Sequence, residues 1–160
     1  VQSSEEVDPD WHPRKCRCVK TYEYRILNRR IEMPMQRFYS HFCYFNLDLE
    51  KMQKAAGLLV GEHDFKSFCS NKRMKKSTVR RIDQIGIHTD GTKVVFTYTG
   101  NGFLYNMVRI LTGTLLEVGL GKRRPEEMKA VLEARNREAA GATAPPEGLF
   151  LMQVEYDGEA

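Results

Sequence analysis

Between Cys18 and Leu27 the chain alternates. Val19, Thr21, Glu23, Arg25 and Leu27 fall on one side of an extended backbone, and Lys20, Tyr22, Tyr24 and Ile26 on the other. Aromatic and β-branched content makes this a predicted strand. Asn28–Tyr39, charged and carrying Pro34, reads as a loop. Asp48 is placed to cap a helix running to about Val60, with Leu49, Met52, Ala56, Leu59 and Val60 on one face and Gly61 as its stop. Asp64–Phe68 reads as a short helical turn, and the polar, basic tract Ser70–Ser77 as a mobile loop. Two β-prone runs, Val79–His88 and Val94–Thr99, flank Thr89-Asp90-Gly91-Thr92 and predict a hairpin. Leu104, Met107, Val108, Leu111, Leu115 and Val118 recur at helical spacing and predict a helix from Phe103 to Val118. Pro125, Glu126 and Glu127 open a further helix to about Arg135, burying Met128, Val131 and Leu132. Leu149–Tyr156 alternates again and closes the pattern as a strand. Four strands and three helices in mixed order predict an α+β domain, a mixed, largely antiparallel sheet with helices packed on one face.

Composition adds limits. The 160 residues are 41% hydrophobic, enough for a sizeable core and against global disorder. No apolar run reaches the ~18 residues of a membrane span. Residues 1–10 are acidic and polar, unlike a signal peptide. The chain starts without Met, which predicts a processed chain or a piece of a longer one. Cys16, Cys18, Cys43 and Cys69 are expected to be reduced, in a cytoplasmic protein. A metal site built from Cys16, Cys18, His41 and Cys43 is not expected, because structural zinc favours two to four residues between paired cysteines.

The net charge of +4 conceals strong segregation. Residues 11–37 carry eight bases against Glu23 and Glu32, and residues 66–81 carry seven bases and no acid. Lys122, Arg123 and Arg124 form a third cluster. Such blocks suit a polyanion, whose counterions are released on binding; a solvated basic face is the plain alternative. Tyr22, Tyr24, Phe38, Tyr39, Phe65 and Phe68, interleaved with the bases, tilt the balance toward nucleic acid, since bases stack on such rings.

No Gly-rich phosphate loop, nucleophile elbow or His-x-x-x-His pair occurs. Two residues stand out. Arg109 lies in the middle of the most apolar helix, either snorkelling at its edge or holding an anion. Tyr22 lies mid-strand, either as sheet packing or as a ring offered to a ligand.

Four segments, in order, carry a family resemblance: Lys20-Thr21-Tyr22-Glu23-Tyr24, Gly61-Glu62-His63-Asp64-Phe65-Lys66-Ser67-Phe68, Asn101-Gly102-Phe103-Leu104-Tyr105-Asn106-Met107-Val108-Arg109, and Thr143-Ala144-Pro145-Pro146-Glu147-Gly148-Leu149-Phe150-Leu151. They resemble successive motifs of the tRNA pseudouridine synthase A family, from about Asp10 to Tyr156. Trp11-His12-Pro13-Arg14 resembles a Phe-His-Ala-Arg motif, with Trp and Pro as departures. The family's catalytic aspartate sits in a Gly-Arg-Thr-Asp-type motif, and none occurs here. The resemblance therefore implies the C-terminal portion of a synthase of this fold, with residues 1–17 as a tail from the preceding catalytic region and 18–160 as the C-terminal domain. It implies uridine isomerisation in the tRNA anticodon stem-loop, without cofactor, metal or membrane, by a homodimer. Tyr22 would stack on the target uracil and assist proton removal at C5. Arg109 would pair with the aspartate absent from this chain. Arg14, Lys72, Arg73, Lys75 and Lys76 would contact tRNA phosphates. A non-catalytic RNA-binding module of the same fold is the other reading. With its partner absent, Arg109→Ala is expected to leave the stability of this chain unchanged or to raise it.

Overall fold

The computed structural model describes residues 4–13, 16–71 and 73–156. Everything is arranged around β1 (Cys18–Asn28), which has partners along both edges. On one side lies β5 (Lys93–Gly100), antiparallel, with Tyr22 opposite Tyr98 and Tyr24 opposite Phe96. The other edge is shared. β6 (Leu149–Tyr156) runs antiparallel to its first part, and β2 (His41–Cys43) runs parallel to its last residues, Ile26 to Asn28. Beyond β5 come β4 (Val79–Asp90) and β3 (Gly61–Asp64), giving the order β2–β1–β5–β4–β3 with β6 beside β1. The sheet is thus six-stranded and antiparallel except at β1–β2, as the α+β expectation required.

One face of this sheet is apolar because period-two alternation puts Tyr24, Ile26, Val94, Phe96 and Tyr98 together, and a register shift between Ile82 and Gln84 brings Ile82 to the same face as Ile87. Onto it pack α1 (Leu49–Gly57), α2 (Met107–Gly119) and α3 (Glu127–Ala134) in one continuous core. α1 begins as expected, the Asp48 side chain accepting from the Lys51 N–H at 3.1 Å. α2 is buried on nearly every side, including Thr112 and Thr114. Thr112 shares a hydrogen bond with the buried Tyr98 hydroxyl at 2.8 Å, and Thr114 returns its hydroxyl proton to the Ile110 carbonyl. On the opposite face Arg25 pairs with Glu23 at 2.8 Å and lies over the Phe150 ring.

Several expectations are corrected. There are six strands among the described residues, not four. β2 and β3 span only three and four residues, too short for alternation to show, and they owe their conformation to partner ladders. α1 stops at Gly57 rather than Val60, and Val60 is exposed, because the chain must reverse into β3. The hairpin is tighter than expected, its strands running to Asp90 and from Lys93 around Gly91 and Thr92. α3 is shorter, running from Glu127 to Ala134, with Arg135 capping it in a left-handed conformation. α2 starts at Met107, not Phe103, since residues 103–106 form an irregular turn that ends with Asn106 at φ 61°.

The segment from Ala140 to Gly148 lies as a strap across α2. The Gly141 N–H donates to the Thr114 hydroxyl at 2.9 Å, the Ala144 N–H donates to the Arg109 carbonyl at 3.1 Å, and the Tyr24 hydroxyl donates to the Pro145 carbonyl at 2.7 Å. Contact is so close that a Cβ on Gly113 would run into the Ala142 carbonyl, and one on Gly148 would meet the Tyr24 ring. Gly113→Ala therefore gains helix propensity of up to ~1 kcal/mol but forces the strap off the helix. We expect a net loss of about 1–3 kcal/mol in urea unfolding; a gain would mean that the strap can retreat from α2 without penalty.

Candidate functional site

Tyr22 sits where β1 changes register against β6. Thr21 faces Gln153 and Tyr22 faces Leu151, which leaves Met152 without a partner. Such a bulge increases local twist and re-aims neighbouring side chains. The half-buried Tyr22 ring meets the edge of Phe103, centroids 5.2 Å apart and planes at 83°. Burial pushes its hydroxyl pKa upward, so the phenol stays protonated at neutral pH. Beneath it Tyr24 is fully buried; burial, followed by Glu147, raises its pKa strongly, while Arg109 opposes the shift.

Arg109 comes to the same place from α2. Its Nε donates to the Ala144 carbonyl at 2.7 Å and its Nη1 to Asn106 Oδ1 at 3.1 Å. Among the described residues it forms no ion pair, and Nη2 has no protein acceptor. Tyr22, Phe103, Asn106, Val108, Arg109 and Leu149 line one open cavity of about 120 Å³. An aromatic face, a free guanidinium edge and apolar walls suit a planar ring beside an anion. The structure thus brings together Tyr22 and Arg109, which the sequence separates by 87 positions.

Asn106 was missed. It holds the left-handed turn, accepts from Arg109 and donates through Nδ2 to Ser70 Oγ at 2.9 Å, so it ties the basic segment to the cavity. Asparagine is the residue besides glycine that tolerates this conformation best. Its presence three positions before Arg109 was the available signal, hidden by the assumption of a continuous helix. The Ala144 carbonyl was also missed, since no sequence pattern marks a backbone acceptor.

Arg73, Lys75 and Lys76 are exposed on the segment leading to β4. Arg14 and Lys72 fall outside the described residues. Arg80 is engaged by the Ser77 and Val79 carbonyls, and Arg81 pairs with Asp83 at 2.8 Å. A cavity of about 510 Å³ between Arg17, Arg81 and Asn101 and another of about 390 Å³ between Lys20, Arg80 and Phe103 flank the Tyr22 side of the site. Cys16 and Cys18 line both, and all four cysteines are free.

A family profile described as tRNA pseudouridine synthase matches residues 55–157. The chain is 46% identical over 150 residues to the tRNA pseudouridine synthase A of Halalkalibacterium halodurans, covering 94% of this chain and 57% of that relative. It is 48% identical to that of Bacillus pumilus, covering 98% and 64%, and 43% identical to that of Limosilactobacillus fermentum, covering 100% and 63%. The chain therefore spans about three fifths of the length of these curated relatives.

The hydrogen bonds of Arg109 overturn the expectation that its removal is harmless here. Arg109→Ala deletes a link between α2 and the strap and leaves the Ala144 carbonyl without its donor. A loss of about 1–3 kcal/mol is expected in urea melts, at the upper end if the carbonyl stays dry. A variant as stable as the parent would show that neither bond holds the strap.

Proposed function

This chain belongs to the tRNA pseudouridine synthase family, and from that premise we propose that it works as the C-terminal part of an enzyme that converts uridine to pseudouridine in the tRNA anticodon stem-loop. Residues 18–160 are read as the C-terminal domain and 1–17 as a tail from the preceding catalytic region. The observation that carries the reading is the shared cavity of Tyr22 and Arg109. In the reaction the bond from C1′ to N1 breaks, the uracil turns, and C1′ bonds to C5; C5 gives up a proton and N1 gains one. The step is redox-neutral and consumes no co-substrate. The target base leaves its stack to reach the cavity.

Tyr22 presents its ring to the uracil. A hydroxyl held protonated by burial favours stacking and hydrogen-bond donation over direct removal of the C5 proton. Arg109 offers its Nη2 edge to the aspartate of a Gly-Arg-Thr-Asp-type motif, which these 160 residues do not contain, and keeps that carboxylate ionised. Nε–H and one Nη1–H are held by Ala144 and Asn106, so the fork made by the remaining Nη1 and Nη2 donors is aimed before the partner arrives. Arg14, Lys72, Arg73, Lys75 and Lys76 contact phosphates, which position the RNA without reading its sequence. The complete enzyme is read as a cytoplasmic homodimer; no helix among the described residues is long and apolar enough to cross a membrane.

The test is tritium release from C5-labelled tRNA. The 160-residue chain should release only background. In the complete enzyme, Arg109→Lys should lower turnover by at least ~100-fold, because a point charge does not replace the fork. Near-normal turnover by that variant would remove Arg109 from its role, and turnover by the chain alone would remove the need for the aspartate. The chain should still bind RNA. Neutralising about six phosphates predicts roughly a thousandfold weakening between 50 and 200 mM salt, and salt-independent binding would contradict the phosphate assignment.

A further inference from the structure

The turn that builds the Tyr22–Arg109 cavity has a second side. Leu104 and Asn106 line that cavity, but Tyr105 between them turns its ring outward and leaves it 67% exposed. There, with Ser70, Asn71 and Arg73, it lines a separate cavity of about 420 Å³. Hydrogen bonds tie one wall to the turn and shape the other locally. The Ser70 N–H donates to the Tyr105 carbonyl at 3.3 Å, Asn106 Nδ2 donates to Ser70 Oγ at 2.9 Å, and the Arg73 N–H donates to Asn71 Oδ1 at 3.1 Å. Arg73 is exposed, and among the described residues it forms no ion pair and no acid lines the cavity. An exposed ring and an arginine outside any ion pair that line one open, largely apolar depression have the chemistry of a nucleotide site: the ring stacks on a base and the guanidinium takes a phosphate. A peptide carboxylate would satisfy Arg73 but give the ring nothing planar to cover it.

We propose that Tyr105 and Arg73 form a subsite for the nucleotide adjoining the target uridine, Tyr105 stacking on its base and Arg73 binding the phosphate between the two. The proposal rests on the RNA reading above. Tyr105 lies in the chain between Leu104 and Asn106, which line the Tyr22–Arg109 cavity, so one turn contributes to both cavities, as neighbouring nucleotide sites require. Bonds from Ser70 through Asn106 to Arg109 link one wall of the subsite to the cavity.

Fluorescence anisotropy with a labelled RNA pentamer carrying a central uridine tests this on the 160-residue chain at low salt. Tyr105→Ala should weaken binding about 5- to 100-fold, the range for loss of one stacked base, whereas Tyr105→Phe should stay within about twofold. Making one position beside the uridine abasic should weaken the unaltered chain by a similar factor and Tyr105→Ala no further. Arg73→Ala should reduce the salt slope by about one. If Tyr105→Ala binds like the unaltered chain, or if the variant and the abasic RNA lose affinity independently, the subsite is overturned while the RNA reading stands. If the unaltered chain binds no RNA at low salt, both fall. A Glu-rich peptide that binds as tightly with the same dependence on Tyr105 would assign the face to an acidic protein segment and overturn the proposal.

Discussion

The lashing of the strap to α2 is what the rest of the structure depends on. Ala144 is held twice by Arg109, through the backbone carbonyl and through the guanidinium, and Gly113 removes the side chain that would keep the two apart. Pro145 then receives the Tyr24 hydroxyl, and Gly148 lies flat on the Tyr24 ring. These contacts set the position from which Leu149 starts β6. They therefore fix the register of β6 on β1 and the bulge beside Tyr22. A helix, a loop and two strands distant in sequence meet at one side chain on each.

Arg109 consequently has two tasks that use different atoms. Nε and Nη1 serve the fold, and Nη2 remains for whatever enters the cavity. Lysine could carry the charge but not this division, because one ammonium has no separate edges. A fall in activity on truncating Arg109 would mix a loosened strap with a lost anion partner. Stability and turnover must be measured on the same variants before the residue's effect is apportioned.

Much of this was legible in the sequence, and the gaps have physical causes. β1, β4 and β5 announce themselves by alternation because one face of each meets a continuous core, whereas β6 is legible although only Leu149 packs against that core. α1 is marked by its cap at Asp48, and α2 by an apolar stripe that turns out to be buried nearly all round. β2 and β3 could not be read, since three or four residues carry no period and their pairing is set by distant strands. Tyr22 and Arg109 drew attention as residues out of keeping with their surroundings. What could not be read was that Arg109 had acceptors within the chain, one of them a backbone carbonyl 35 positions away.

The turn at 103–106 shows why that failure fell where it did. Its residues satisfy a helical pattern, yet Asn106 at φ 61° breaks the helix one residue before Met107. A left-handed asparagine costs on the order of 1 kcal/mol, and its bonds to Ser70 and Arg109 offset that cost only when both partners are in place. Had the helix continued back to Phe103, Tyr105 and Asn106 would follow the helical rotation, and the bonds that hold the basic segment against the cavity would be lost. Local propensity is overruled at the one turn where an aromatic wall, an arginine and a cationic segment have to converge, which is where conflict between local and global preference is expected at a site built for function.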